Sequence, residues 1–223
     1  MSATEPGFQR ARTVEHKEQR AEALLRAATE LAGTKGVREV TLTEIANSAG
    51  VHVSAVRRYF ESREDIFLRL AAQGWVEWVD AVEVVLGGGS DPLGAVGLAQ
   101  VVARTLADRP LFCDLLGHVQ VSFEREVTLE SVWDFKLKAM AQAERLVELC
   151  RRAVPGLTGP AARDLVTAIT ALTAATWQAA HPPLILAGLY EGDPRLAHAA
   201  VDFVPKLTGL VRTFVVGLVG SGG

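Results

Sequence analysis

Apolar residues recur with a helical period along almost the whole chain. Ala21, Leu24, Leu25, Ala28, Leu31 and Ala32 repeat at i, i+3, i+4 and i+7, which predicts one helix with Gly36 as its stop. Thr41 followed by Glu44 is a capping-box pattern, flanked by Val40 and Ile45 at the staple positions. The alternation of Val40 and Leu42 also fits a short strand. Two agreeing capping signals favour a helix, running through Ala49 to a stop at Gly50. A third helix is expected over Val53–Phe60, with Val53, Val56 and Phe60 on one side. A fourth should start after Ser62, whose hydroxyl can cap Asp65.

Beyond residue 70, prolines set the phrasing. Asp91-Pro92, Pro110, Pro160 and Asp193-Pro194 read as helix starts, and Pro155-Gly156 and Pro182-Pro183 as stops. Helices of roughly 13 to 25 residues are expected between them. Gly87-Gly88-Gly89-Ser90 is the expected flexible interior segment. Pro205 marks either a kink or the true start of the last helix. With no internal repeat and no persuasive strand pair, the chain reads as all-α.

Composition narrows the class. The 223 residues are 49% hydrophobic and 22% charged, with a formal charge of −3, as in ordinary folded proteins. The two cysteines, Cys113 and Cys150, have no metal-ligand spacing and read as buried thiols. Residues 1–19 have no apolar core of a signal peptide, and the apolar run 207–220 is broken by Arg212, so no membrane partner is expected and the cytoplasm is the expected location. The first 70 residues carry 11 basic against 10 acidic side chains; the remainder carries 12 against 16. A mildly acidic total does not exclude nucleic acid, because local placement decides.

The sharpest signal lies between Thr41 and Arg63. Ala46 is small where two helices cross, Gly50 can take a left-handed turn conformation, and Val56 is an inward anchor six residues later. That spacing is the helix-turn-helix pattern. With Val56 and Phe60 inward, Ser54, Arg57, Arg58 and Glu61 project outward. Two adjacent arginines on a short exposed helix suit a major groove. The plain alternative is a solvated face carrying two surface charges.

Residues 20–70 resemble the DNA-binding domain of TetR/AcrR-type bacterial repressors. The resemblance is carried by Ile45-Ala46, Ala49-Gly50-Val51, Tyr59-Phe60, Ser62, Glu64 and Phe67. It departs at His52, where the family often has Ser, at Ala55, often Thr, and at Arg57, often Tyr. It implies an all-α fold: a three-helix DNA-binding domain with a helix-turn-helix, then a larger helical ligand-binding and dimerisation domain. The expected divisions are a flexible tail over 1–18, the head over 19–65, the body over 66–219 and a short tail over 220–223. The resemblance implies phosphate contacts for Thr43, Tyr59 and Arg63. The wheel makes Ser54, Arg57 and Arg58 the groove candidates, with His52 and Val53 at the leading end and Ala55 between. Arg10 and Arg12 are candidates for a minor groove or part of a disordered tail.

In the body, Trp78, Phe112, Phe123, Trp133 and Trp177 accompany His118, Ser122 and Thr173. A few polar groups in an apolar setting can orient a small ligand; a packed core is the competing reading, residue by residue. The resemblance implies an unidentified small-molecule effector bound there, apolar or aromatic in character. Small residues over 160–180 and the apolar run Leu207, Leu210, Val211, Phe214 and Leu218 imply, on the same resemblance, a homodimer through the last two long helices. No HExxH, nucleophile elbow or phosphate loop occurs, so no catalysis, metal or cofactor is expected. The expected function is a ligand-responsive transcriptional regulator, a repressor, that binds a palindromic double-stranded DNA operator as a dimer. The alternative is a helical small-molecule-binding protein or enzyme whose helix-turn-helix only packs. Footprinting separates the two.

Overall fold

The computed structural model describes residues 6–88, 91–119, 121–193, 195, 196 and 201–220. Among the described residues ten α-helices follow in order: α1 (Pro6–Lys35), α2 (Leu42–Ser48), α3 (Val53–Val56), α4 (Arg63–Gly87), α5 (Gly94–Ala107), α6 (Pro110–Leu116), α7 (Leu129–Ala153), α8 (Gly159–Ala180), α9 (Leu184–Gly192) and α10 (Phe203–Gly220). Short 3-10 turns occupy Val37–Glu39 and Phe123–Arg125. No strand occurs among the described residues.

Helices α1 to α3 and the start of α4 form the head. Leu24, Leu25 and Ala28 of α1 meet Val37, Val40, Ile45, Ala46, Val56 and Phe60 in one buried cluster. Helix α4 then runs without a break, about 37 Å for its 25 residues, from the head into the body. The expected boundary at 65/66 therefore falls inside a helix, not in a linker. In the body α7 lies along α4 and beside α8, α6 crosses α8, and α10 packs on α5 and α8. Helix α10 is long and apolar enough to cross a membrane by length and composition, but Phe203, Leu207, Val211 and Val215 are buried in the core.

Several boundaries differ from expectation. Helix α1 begins at Pro6, inside the expected tail, because residues 8–22 are mostly Gln, Arg, Ala, Glu and Lys, all good helix formers. Pro92 lies before α5, which starts only at Gly94 (φ +65°). Pro205 falls in the first turn of α10, where a missing N–H leaves no bond unmade, so it marks a start. The 7-residue α6 and 9-residue α9 are shorter than expected. Helix α3 ends at Val56, not Phe60; it continues as turns in which Tyr59 and Phe60 both donate backbone N–H groups to the Val56 carbonyl, at 2.8 and 3.0 Å. Gly89, Ser90, Gln120, Pro194 and His198, and the side chains of Arg10 and Arg12, lie outside the described residues.

Candidate nucleic-acid interface

The head is assembled by local chemistry. The Thr41 hydroxyl accepts from the Glu44 backbone N–H, and the Glu44 carboxylate accepts from the Thr41 N–H at 2.9 Å. Lys35 reaches the same carboxylate at 2.6 Å. These contacts, the Lys35 hydrogen bond foremost and those from Thr41 after it, hold the Glu44 carboxyl down at about 2. At the other end of α2, Gly50 sits at φ +67°. The Val51 N–H donates to the Ala46 carbonyl and the Gly50 N–H to Asn47, at 2.9 and 3.1 Å. This is a Schellman motif, and its left-handed residue suits glycine. Ala46 and Val56 are both wholly buried, so the turn locks α2 against α3.

His52 takes over the cap of α3. Its Nδ1 accepts from the Ser54 N–H at 3.3 Å and lies 2.8 Å from the Ser54 hydroxyl. An imidazole thus supplies the acceptor that hydroxyl and carboxylate caps normally supply. Outward of this lock, Thr43, His52, Ser54, Arg57 and Arg58 are exposed, while Val53, Ala55 and Tyr59 are half-buried. The result is a ridge of hydroxyls, an imidazole and two guanidiniums standing on a rigid turn. Among its groups only guanidinium offers a bidentate donor fork for a base edge or a phosphate.

Arg63 is not part of that ridge. Its guanidinium donates to the Val37 carbonyl at 2.8 Å, pairs with Glu64 at 2.6 Å and lies 5.2 Å from the centre of the Phe67 ring. The expected phosphate contact therefore gives way to an internal clamp between α4 and the 3-10 turn. Two carboxylates not anticipated from the sequence complete the clamping. Asp114 on α6 accepts from the Val37 N–H at 2.9 Å through one oxygen, and from Gln178 of α8 at 2.9 Å through the other, with His118 Nε2 at 3.4 Å. Burial pushes its carboxyl up, but the bonds from His118, Val37 and Gln178 outweigh burial and hold it below the ordinary aspartate value. Asp65 accepts from the Glu61 N–H and from the Ser131 hydroxyl of α7, at 3.2 and 2.9 Å. The head is thus tied to α6 and α7 directly and to α8 through Asp114. Partners 64 to 77 residues apart in sequence leave no local signal.

The body residues expected around an effector fall into separate packed groups. Trp78 is fully buried and donates Nε1–H to Thr105 at 3.1 Å, and it packs with Trp75 and Phe112 at ring separations of 5.5 and 5.8 Å. Phe123 stacks on Phe67 at 5.8 Å, beside His118; Ser122 is half-buried. Trp177 stacks on His181 at 3.8 Å and meets Phe203 edge-on. Thr173 is fully buried and its hydroxyl oxygen has no hydrogen-bond partner. Trp133 departs altogether: it is 68% exposed, on an outward face of α7. A cleft of about 460 Å³ does open elsewhere, between the head (Tyr59, Glu61) and the flanks of α4 and α7 (Asp65, Arg69, Ser131, Lys138). Cys113 and Cys150 are buried and unpaired, and burial pushes both thiols up to about 12. Among the described residues no cluster of His, Cys, Asp and Glu is placed to hold a metal ion.

Comparison with known proteins adds to this geometry. Residues 24–70 match the family profile described as bacterial regulatory proteins, tetR family. Residues 72–221 match a tetracyclin repressor-like C-terminal domain. No curated protein sequence matches. Among solved structures, a putative TetR-family transcriptional regulator from Mesorhizobium loti is similar, with a TM-score of 0.55 at 15% identity, covering 92% of this chain and 97% of that one. FadR from Thermus thermophilus, a TetR-family repressor solved with lauroyl-CoA, gives 0.54 at 20%, covering 91% and 94%. FadR from Bacillus subtilis, solved with stearoyl-CoA, gives 0.51 at 17%, covering 91% and 98%. At these identities the likeness to the solved structures is one of fold.

Proposed function

Because the chain belongs to the TetR family of bacterial regulatory proteins, and is thereby a DNA-binding transcriptional regulator, we propose that it represses transcription as a cytoplasmic homodimer released from its operator by a small apolar effector. The observation that carries this reading is the exposed Arg57-Arg58 pair standing on the Gly50-locked turn. Each subunit lays α3 and its following turns into a major groove, and the two copies sit about 34–36 Å apart on a roughly palindromic site. Arg57 and Arg58 read base edges, each bidentate pair with guanine worth about 1–3 kcal/mol of discrimination. Ser54, with His52, Val53 and Ala55 at the leading end, lies closest to the bases, and Thr43 and Tyr59 face phosphate.

The pairing surface is the outward side of α8 and α10. Thr167, Ala171 and Ala175 form one exposed row on α8, and Leu210, Phe214 and Leu218 one incompletely covered row on α10. Small side chains on one helix and large on the other suit close four-helix packing across a twofold axis. The effector makes its own space by parting the packed groups of Trp78, Phe112, Phe123 and Trp177, with the buried, unpartnered Thr173 hydroxyl and His118 as its polar anchors. The acyl chain of an acyl-CoA, the ligand type in the two FadR structures, is the chemistry we favour. Entry at these residues displaces α6, and α6 carries Asp114, which grips Val37 of the head. Only an effector with different affinities for the two arrangements shifts the equilibrium.

DNase footprinting of the DNA upstream of the gene tests the reading. Wild type should protect a palindrome, and Arg57→Ala with Arg58→Ala should lose specific protection, with a shallower salt dependence of the residual binding, while remaining a dimer. Equal operator affinity for the double variant refutes the assignment.

A further inference from the structure

Two apolar surfaces of this chain are left bare, and both lie at the same end of the body. The first is α9. None of its described side chains is buried and no described helix packs broadly on it. Ile185 is 83% exposed, and Leu186 and Leu189 are exposed with it. A nine-residue helix is marginal in water by itself, so α9 needs a surface to lie on. The second is a stripe on α7: Leu129, Trp133, Leu137 and Met140, at i, i+4, i+8 and i+11, all exposed, Leu129 at 88%. Four large apolar side chains in one row form a patch of the kind that marks an interaction site.

Their positions tie both to the pairing surface. Helix α9 is tethered between the end of α8 and the start of α10, the two helices of the proposed dimer face. The α7 stripe continues upward to Glu144, which pairs with Arg163 near the start of α8 at 2.9 Å, so it borders the same face. Gln178 near the end of α8 and Ser131 near the start of α7 both reach carboxylates that anchor the head. The root of α9 and the Leu129–Trp133 end of the stripe therefore share the head-proximal tier. Within one chain both surfaces stay uncovered. We propose that in the dimer each α9 packs its Ile185–Leu189 face on the partner's α7 stripe, centred on Trp133. The occupant is a second copy of this chain, and twofold symmetry makes the contact twice. This inference rests on the dimer reading above.

Hydrogen exchange on the full-length protein tests it. In the dimer, amides of 184–192 should be protected at least tenfold over the rate of an unstructured chain. Trp133→Asp should abolish that protection while sedimentation still reports a dimer through α8 and α10. Separately tagged Trp133→Cys and Ile185→Cys chains, mixed under mild oxidation, should give a covalent heterodimer; the native thiols are buried and stay silent. A dimer with unprotected α9, or with protection unchanged by Trp133→Asp, overturns the α9 contact alone. An intrachain disulfide in a chain bearing both cysteines, with no covalent dimer, also overturns it, in favour of α9 folding on its own α7. A monomeric wild type overturns the dimer reading and this contact together.

Discussion

The head and the body are built by opposite means. In the head nearly every join is local: a capping box closed over four residues, a Schellman turn over six, a histidine cap over three. In the body the joins are aromatic packing and carboxylate contacts between partners tens of residues apart, such as Trp78 on Phe112 and Asp114 on Gln178. A part held by local turns keeps its internal geometry when its surroundings shift. A part held by packing has alternative packings within reach. A rigid reader mounted on a repackable body is the arrangement an effector-driven regulator needs.

The largest expected effect tests the body half of that contrast. Trp78→Ala removes a fully buried indole and the bond it donates to the Thr105 hydroxyl, which keeps its own bond to the Val101 carbonyl, and should cost about 3–5 kcal/mol in urea unfolding. If the head is internally independent, the near-ultraviolet signal of Tyr59 and the exchange protection of α2 should change little at denaturant concentrations where the mutant body has unfolded. Simultaneous loss of head protection would show that the two parts are one cooperative unit.

Asp114 tests the coupling between them. Asp114→Ala leaves the Val37 N–H without its acceptor and frees Gln178, at a cost of about 1–3 kcal/mol. The informative readout is not stability but response: the effector-induced loss of operator affinity should shrink at least several-fold while affinity without effector stays near wild type. An undiminished response would move the coupling to Asp65 and Ser131, a second side-chain bond between head and body. Gly50→Ala comes next. Its left-handed backbone costs an L-residue about 1–2 kcal/mol, and open space around the Cβ means that conformational strain is the whole effect. Operator binding should weaken with it, since the turn sets the angle of α3.

Legibility in the sequence follows the same division. Thr41, Glu44, Ala46, Gly50, Val56 and Ser62 announce their roles because caps and turns are written in neighbouring residues. The helix-turn-helix and the exposed arginines follow directly. Arg63 shows the limit even there: its position in the motif suggests a phosphate, but the carbonyl that claims it belongs to Val37, 26 residues away. Trp133 shows the limit in the body. Its size argues for burial, yet which side of α7 faces α4 is set by tertiary packing, and Trp133 falls on the other side. Asp114 and Asp65 look like ordinary helix-surface acids until α6 and α7 bring their partners near.

The smallest effect concerns the Glu44 box and has a definite sign. Its folded carboxyl titrates at about 2 instead of the ordinary 4.5, so the charged form is favoured by folding. A depressed acid contributes stability at pH above its unfolded value, and that contribution drains away as pH falls from there through the folded value. The box should therefore hold across neutral and mildly acidic pH and weaken only between about 4.5 and 2. A carboxyl-detected NMR titration should place the Glu44 midpoint near the lower figure, and Thr41→Val, which removes the hydroxyl donor, should raise it. Because the carboxylate is solvent-exposed, added salt should weaken the Lys35 contribution and leave that of the Thr41 N–H largely in place. A midpoint at the ordinary value in wild type would mean that α2 is held by its buried Ile45 and Ala46 alone, and that the head owes its rigidity to packing after all.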